Sequence, residues 1–307
     1  AVADAVLRAG VRASLCYEVT DRRGKKGMLQ GIEENVRFIK QTLTNPNDKI
    51  SALFGLHAGL TLSNETLALC QEHAPEGSGF HIHVAEHSVD EYDSLQKYGM
   101  RAIDRLVKFG ILTPNSILAH AVHIDAREME LIKEYGSWVT HQPRSNMNNA
   151  VGVADVESML RLGIPVCMGN DGFSNSMWDE WKSAYLVHKL WHRDPRRMPA
   201  DTIVQMAVYN NAQLASRLFG RNIGVIEPGA KADLIFVDYL PYTDVTSGNL
   251  PWHIVFGFRE SMINSTMVDG VFLMKNRQLL TLDEEKIMFN AKKASKAVWQ
   301  RYSNLED

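Results

Sequence analysis

The chain has 307 residues, of which 45% are hydrophobic and 22% are charged, and its formal net charge is −3 with histidine neutral. Such values are typical of a globular protein with one large core or a core plus a small second domain, and they exclude a basic field for nucleic acid or an anionic membrane. No apolar run approaches the ~20 residues of a membrane helix, and three widely spaced cysteines exclude a disulfide framework, so we expect a cytoplasmic protein.

The first twelve residues predict an amphipathic helix with Val2, Val6 and Leu7 on one face. They contain no initiator methionine, and they lack the basic-then-apolar order of a signal peptide. Because the chain begins inside a predicted element, we expect it to be part of a longer polypeptide.

From residue 1 to about 220, short apolar runs alternate with helical patterns. Helical spacing of apolar residues is clear in residues 31–43, and Ser63 is the predicted N-cap of the next helix. Strands that alternate with helices of this length predict parallel βα units, and hence an α/β sheet or barrel. The apolar runs are residues 11–19, 50–57, 79–86, 116–123, 138–142 and 164–171.

Polar residues stand at or just past the C-terminal ends of these runs. In a parallel barrel those ends converge on one face, whereas in an open doubly wound sheet they line one edge. No GxGxxG follows the first run and no GxxxxGK[ST] occurs, so the sequence does not indicate a nucleotide-phosphate site of the kind found in open doubly wound sheets. The barrel is therefore favoured over the open sheet. The residues at these ends are Glu18, His57, Glu86, His120, His141 and Asp171.

The pattern changes after about residue 221. A PG turn and a short β-rich run follow, and residues 268–280 predict a hairpin around Asp269–Gly270 or Lys275–Asn276. The last segment is helical in pattern and basic toward its C-terminal end, which suits the helix dipole. We therefore divide the chain into residues 1–221, an α/β unit, and residues 222–307, a β-rich segment with a closing helix.

The segment HIHVAEH places His81 and His83 on the same face of a strand, with Glu86 at the strand's mouth. Imidazole is a common zinc ligand, and a carboxylate beside the metal can move protons between water and substrate. The alternative is that these residues only cap a strand by hydrogen bonding. His120 and Asp171 each have a structural interpretation too, since a DG pair is commonly a turn. The order His, Glu, His, Asp over three strand ends favours one metal-dependent site.

Four motifs occur in order along the chain: HVAE, LAHAVH, VTHQPRSNMNNAVGVADV and GNDGFSN. In this order and spacing they resemble the amidohydrolase superfamily, in the branch of cytosine/guanine deaminases, adenosylhomocysteine-type deaminases and triazine chlorohydrolases. The match is nearest to aminohydrolases of the SsnA type, through LCYEVTDRRGKKG and SNMNNAVG. The resemblance implies part of a TIM (β/α)8-type barrel, about its third to eighth strands, with the C-terminal part of a small β-sandwich and a C-terminal helix. The segment GVIEPGAKADLIFVD resembles the return of the chain into the sandwich.

The resemblance also implies roles for four residues. His83 matches a metal-ligand histidine, and Glu86 matches the carboxylate that takes a proton from the attacking water and delivers it to the leaving group. His120 matches a histidine that contacts that water. Asp171 matches an aspartate that binds the metal and orients the water.

Substrate-side residues are implied less specifically. His57 matches a histidine near the substrate in relatives, with a buried structural histidine as the alternative. Arg22, Glu18 and Asn175 are further substrate-pocket candidates, and each has a surface or turn interpretation. We interpret two other strand-end histidines as structural, although the segment THQPRSN as a whole is expected to border the pocket; these are His123 and His141.

Two departures from the family pattern matter. Asn170 stands where the family usually has threonine, and the HxH pair that ends the family's first strand is absent, since the only HxH here is His81–His83. Two matched ligands are fewer than the three protein groups that catalytic zinc normally has, and six strands cannot close an eight-stranded barrel. We expect truncation, with no metal and no activity in this chain alone; a split protein and a relative that has lost catalysis are the alternatives.

The function implied is metal-dependent hydrolysis, foremost hydrolytic deamination of a heterocyclic amine, with one divalent metal, zinc or else iron. Hydrolytic dechlorination or amide hydrolysis is the alternative among enzymes, and a metal-free, non-catalytic barrel subunit is the alternative of another class. The partner is then a small-molecule substrate, with no nucleic acid and no membrane. One predicted helical stretch is rich in large apolar residues, which either form a homodimer contact or lie on a buried helix face. These residues are Met177, Trp178, Trp181 and Trp191.

Overall fold

The computed structural model describes residues 1–304, and its larger part is a parallel sheet with helices between the strands. Strands β3 to β7 are hydrogen-bonded in chain order. Strand β1 pairs in parallel with β2, and Val19 forms a parallel bridge with Leu56, so residues 13–19 run beside residues 50–58. Each of the six predicted apolar runs therefore contains a strand, which confirms the parallel α/β prediction. The strands are β1 (Ala13–Leu15), β2 (Ile50–Ala52), β3 (Phe54–Ala58), β4 (Phe80–Val84), β5 (Ile117–His120), β6 (Trp138–His141) and β7 (Val166–Met168).

The helices between these strands begin and end at recognisable caps. Ser63 accepts a hydrogen bond from the Thr66 amide at 3.1 Å, as predicted for an N-cap. Asp125 and Glu128 form a reciprocal capping box at the start of α6. The helices are α1 (Val2–Ala9), α2 (Gly24–Thr44), α3 (Asn64–His73), α4 (Ser88–Tyr98), α5 (Ala102–Lys108), α6 (Ala126–Tyr135), α7 (Pro143–Asn148), α8 (Val156–Leu162), α9 (Met177–His192), α10 (Ala200–Val204) and α11 (Asn211–Phe219).

The core lies between the sheet and its helices. Alternate strand residues such as Phe54, Ile82 and Leu118 are fully buried there and pack against apolar faces of the helices. Burying each such side chain contributes about 1.5–3 kcal/mol, so the sheet is a firm support for side chains at its C-terminal edge. On α9, Trp181 is only 6% exposed whereas Trp191 is 60% exposed, so the buried face explains the first and not the second.

The outer edge of β7 is covered by amide side chains. Residues 205–210 form a π-helical turn between α10 and α11, and this turn brings Asn210 and Asn211 to the strand. Asn210 Nδ2 donates to the Val166 carbonyl at 2.7 Å, and Asn211 both accepts from the Met168 amide and donates to the Met168 carbonyl. These bonds satisfy backbone groups that an uncovered edge strand would leave free.

The C-terminal segment contains an antiparallel sheet in the order β11-β10-β9-β8. The β9–β10 turn lies at Asp269–Gly270, as predicted, and the next turn lies at Asn276–Arg277, all with positive φ. Arg12 pairs with Asp233 at 2.8 Å and joins this sheet to the β1 region. Among the helices of residues 1–304, none is both long and apolar enough to cross a membrane. The elements are β8 (Leu234–Val237), α12 (Leu250–Gly257), β9 (Ile263–Val268), β10 (Val271–Lys275), β11 (Gln278–Leu279) and α13 (Glu284–Ser303).

Candidate active site

Three histidines from neighbouring strands lie side by side at the C-terminal edge of the parallel sheet. His57 lies in β3, His83 in β4, and His120 is the last residue of β5. The ring centroids of His57 and His83 are 5.6 Å apart, and those of His83 and His120 are also 5.6 Å apart. The parallel register places His83 opposite Ala58 and Ala119, one position from His57 and from His120, so the three side chains are neighbours at the ends of adjacent strands.

A backbone contact determines the protonation of the His83 ring. Its Nδ1 lies 2.6 Å from the carbonyl oxygen of His57, and a carbonyl oxygen only accepts hydrogen bonds. Nδ1 therefore carries the proton, and Nε2 of neutral His83 keeps a free lone pair. The same arrangement, with one ring nitrogen donating to a carbonyl, is typical of metal-ligating histidines.

His120 is the centre of the site and is 1% exposed. Its Nδ1 lies 2.8 Å from Oδ1 of Asn146, which leaves Nε2 directed at two carboxylates. Nε2 is 3.7 Å from Oε2 of Glu86 and 3.9 Å from Oδ2 of Asp171. The two acidic residues that the sequence pattern selected thus face the same imidazole nitrogen, although they are 85 positions apart in the chain.

Asp171 is held as a carboxylate by its neighbours. Burial alone raises its pKa, but the Ser145 hydroxyl, the His120 ring and the Gly172 amide outweigh burial and lower the pKa below its ordinary value. The Ser145 hydroxyl donates to Oδ2 of Asp171 at 2.6 Å. An ionised carboxylate facing imidazole lone pairs is a set of donors suited to a divalent metal such as zinc.

The chain leaves three strands of the site, β4, β5 and β7, through left-handed backbone conformations. Ala85, His120 and Asp171 have φ values of 46°, 73° and 52°, although none of them is glycine. Such conformations cost of order 1–3 kcal/mol each and persist where the surroundings fix them. Here the buried Asp90 carboxylate accepts the Ala85 amide at 2.7 Å. The strand-end geometry is therefore imposed by tertiary contacts.

The sequence pattern places THQPRSN beside the pocket but indicates no individual role for Ser145, Asn146 or Asn149, which contact the site. Ser145 bonds to Asp171 and Asn146 to His120, while Asn149 donates to Oε1 of Glu86 at 3.0 Å. The signal was the run SNMNN, which is unusually rich in amides for a helix and follows a strand end directly.

His57 and Arg22 join the site from its outer side. His57 Nδ1 lies 2.7 Å from the Thr61 hydroxyl and its Nε2 lies 3.6 Å from Glu18. Glu18 also pairs with Arg22 at 3.1 Å. Burial is the largest influence on His57 and lowers its pKa, so the ring is neutral at neutral pH. The side chains of His57, Glu18 and Arg22 thus form a connected polar group at the outer end of the row of histidines.

Asn175 and Asn170 organise the loop that follows β7. Asn170 Nδ2 donates to Oδ1 of Asn175 at 3.0 Å and also reaches the carbonyl oxygens of Phe173 and Ser174. This loop also carries Asp171. Asn170, which stands where the family usually has threonine, therefore stabilises the loop that holds Asp171. Asn175 is exposed on this loop.

Other histidines lie away from the row. His123 Nε2 lies 2.8 Å from the Val151 carbonyl, and buried His141 pairs with His188 through their Nε2 atoms at 3.2 Å. His188, His192 and Glu157 offer ligand atoms within 4.8 Å of one another. The Glu157 carboxylate is, however, already paired with the guanidinium of Arg197 at 3.2 Å. Because this positive side chain already neutralises the carboxylate, we assign no metal to the cluster.

Comparison with known proteins places the chain in a family. A family model described as the amidohydrolase family matches residues 1–273. The chain therefore belongs to the amidohydrolase family, whose members include its deaminase relatives, and it is a hydrolase acting on carbon–nitrogen bonds. This confirms the resemblance inferred from the motifs.

Two relatives illustrate the similarity. A 5'-deoxyadenosine deaminase of Methanosarcina mazei is 32% identical over 307 residues, which cover 98% of this chain and 70% of the relative. A 5-methylthioadenosine/S-adenosylhomocysteine deaminase of Acetivibrio thermocellus is 35% identical over 310 residues, which cover 97% of this chain and 69% of the relative.

Two solved structures share the fold. An adenosine deaminase from Xanthomonas campestris with bound zinc has a TM-score of 0.86 and 22% identity, covering 97% of this chain and 69% of that one. The atrazine chlorohydrolase TrzN from Arthrobacter aurescens, complexed with zinc, has a TM-score of 0.75 and 21% identity, covering 95% and 67%. At these identities the likeness concerns the fold alone.

Proposed function

We propose that the protein is a metal-dependent hydrolytic deaminase of a heterocyclic amine, with an adenosine-type nucleoside as its substrate class. The observation that carries the proposal is the convergence of Glu86 and Asp171 on Nε2 of His120, at 3.7 and 3.9 Å. A hydrolytic site needs a proton acceptor and groups that orient water, and these three side chains supply both. The names of the two deaminase relatives support the substrate class.

One divalent metal, zinc or else iron, fits the donor set. His83 would present Nε2, because Nδ1 is committed to the His57 carbonyl, and Asp171 would present a carboxylate that its neighbours keep ionised. When bound, the metal supplies Lewis-acid activation of water. Catalytic zinc usually has three protein ligands, so we propose that further ligands come from outside these 307 residues.

We make a corresponding proposal for the parallel sheet and the C-terminal segment. We propose that residues 1–221 are part of a (β/α)8-type barrel, from about its third to its eighth strand, and that residues 222–307 form the β-rich segment of a sandwich with a closing helix. The proposal is supported by the six parallel segments in chain order and by the greater length of the relatives, of which the chain covers 70% and 69%.

The reaction follows from the positions of the side chains. His120 and Asp171 hold the attacking water so that its oxygen faces the ring carbon that bears the amino group; one O–H of the water is shared between these two acceptors and the other is directed at Glu86. Glu86 accepts one proton of that water as the C–O bond forms, and passes it to the amino nitrogen as the C–N bond breaks. Ammonia leaves, and the second proton of the water moves from the new C–O group to the adjacent ring nitrogen, so the ring carbon becomes a carbonyl and atoms and charge balance. His57, Arg22 and Asn175 are proposed to contact the substrate.

The test is to purify the complete protein and measure its metal content by elemental analysis, together with ammonia and chloride release. We expect near-stoichiometric zinc or iron and ammonia release from 5'-deoxyadenosine. Chloride release from a chlorinated triazine without any deamination would replace the proposal by dechlorination. Absence of metal together with absence of turnover would favour a non-catalytic barrel subunit.

A further inference from the structure

We propose that residues 142–149, here called the β6–α7 segment, are a single positioning element that holds the metal side and the proton-transfer side of the site through separate contacts. The inference rests on the proposed function, because it assigns roles relative to that reaction. Residues 142–149 comprise the residue that follows β6, the short helix α7 and the residue after that helix. The side chains from this one segment contact three of the four residues that carry the proposed chemistry.

The first contact concerns Asp171. Ser145 is buried, and its hydroxyl donates to Oδ2 of Asp171 at 2.6 Å. The bond leaves Oδ1 of Asp171 as the oxygen without a serine partner and orients the carboxylate plane. Because hydrogen bonds to a ligating carboxylate fix its orientation, removal of such a partner weakens metal binding by roughly 10–100-fold. Ser145 therefore serves the metal side.

The second contact concerns Glu86. Asn149 Nδ2 donates to Oε1 of Glu86 at 3.0 Å, and the other oxygen, Oε2, lies 3.7 Å from His120 Nε2. Asn149 thus occupies one carboxylate oxygen and turns the other toward the reacting atoms. Glu86 is 29% exposed, so without this partner its side chain can adopt other rotamers. Asn149 therefore serves proton transfer and leaves the metal side untouched.

The segment itself is anchored through His120 from both directions. Gln142 Oε1 accepts the His120 amide at 3.1 Å, and Asn146 Oδ1 accepts from the His120 ring at 2.8 Å. The Asn146 amide in turn donates to the Gln142 carbonyl, which closes the first turn of α7. The backbone and the ring of His120 are thereby hydrogen-bonded to the same turn that carries Ser145, so this turn positions both.

The experiment compares Ser145→Ala, Asn149→Ala and Asn149→Asp with the unaltered complete protein. Zinc affinity is measured by competition with a chromophoric chelator, and kcat and KM by ammonia release from 5'-deoxyadenosine. Ser145→Ala is expected to weaken zinc binding by roughly 10–100-fold. Asn149→Ala is expected to retain zinc affinity and KM while kcat falls by at least about tenfold. Met147→Ala is the control, since its side chain is on α7 but 45% exposed.

Asn149→Asp decides between positioning and space filling. Aspartate has the shape of asparagine but no N–H to donate, so we expect its kcat to fall at least as far as that of Asn149→Ala. If Asn149→Asp matches the unaltered protein, or if both Ser145→Ala and Asn149→Ala match Met147→Ala in zinc affinity and kcat, the inference is wrong. If the unaltered protein neither binds zinc nor releases ammonia, the proposed function fails instead, so the two failures are distinguishable.

Discussion

Nδ1 of His83 lies 2.6 Å from the backbone carbonyl oxygen of His57, one strand away. This contact ties a side chain of β4 to the main chain of β3 and places a proton on Nδ1 of His83, so Nε2 is the ring nitrogen available to a metal. A second histidine, His120, is tied in the same way by Asn146, at 2.8 Å. Two imidazoles with fixed tautomers and an ionised Asp171 are therefore present before any metal binds.

Replacement of His83 by Gln is expected to abolish tight metal binding. Glutamine removes the imidazole lone pair, and a site with few protein ligands cannot lose one of them without losing most of its affinity. Elemental analysis of the purified variant should find metal well below that of the unaltered protein. His73→Gln is the matched control, because His73 is an exposed histidine on α3. Equal metal content in both variants would remove His83 from the ligand set.

Replacement of Asp171 by Asn tests the other proposed ligand. The substitution keeps the shape of the side chain but removes the charge that Ser145 and His120 stabilise. We expect both metal content and ammonia release to fall, since one group serves the metal and the water. A variant that keeps full metal content but loses turnover would limit Asp171 to orienting water.

Arg105 is expected to stabilise the turn that follows β3. Its guanidinium is 1% exposed, donates to the Asn64 side chain and the Gly59 carbonyl at 2.8 Å each and to the Leu62 carbonyl, and stacks on Tyr98. Arg105→Met would leave these oxygens without their donor, at a cost of about 3 kcal/mol in the free energy of unfolding.

Urea denaturation measures that cost, with a surface arginine as the control. Arg127 is 66% exposed and pairs only with Asp104 among the described ion pairs, so Arg127→Met is expected to change stability little. Equal midpoints for the two variants would mean that the buried guanidinium contributes no more than a surface ion pair.

Glu91 predicts a pH dependence of stability. Burial, and then the neighbouring Glu128 carboxylate, raise its pKa to about 7 from an ordinary value of 4.5. The folded protein therefore holds a proton there that the unfolded chain releases, and the stability that results is present below pH 4.5 and is lost as the pH rises through about 7. Glu91→Gln keeps the neutral form at every pH. Thermal melts should show a steeper loss of Tm for the unaltered protein than for Glu91→Gln between about pH 5 and about pH 8. Parallel curves would contradict the shifted pKa.

The strands and their ends could be predicted because apolar runs determine which residues are buried. His57, Glu86 and His120 were placed at or beyond strand ends by that pattern alone, and the cap at Ser63 followed from local chemistry. Leu43 shows the limit of periodicity, since it continues the apolar spacing of α2 but is 65% exposed. Spacing along one helix does not reveal where the neighbouring element ends.

The supporting contacts could not be predicted in the same way. Ser145 and Asp171 are 26 positions apart, and Asn149 and Glu86 are 63 apart, so their hydrogen bonds depend on the path of the chain between them. The left-handed backbone at His120 could not be assigned from the sequence either, because tertiary contacts decide which non-glycine residues adopt it.

Replacement of Glu86 by Gln, with metal content and ammonia release measured on the same sample of complete protein, tests the central claim most directly. Glutamine keeps the size of the side chain and its contact with Asn149 but cannot accept and return a proton. We predict unchanged metal content and a fall in kcat of about 100-fold or more. Turnover at the unaltered rate with metal still bound would contradict the assignment of Glu86 as the group that moves the proton.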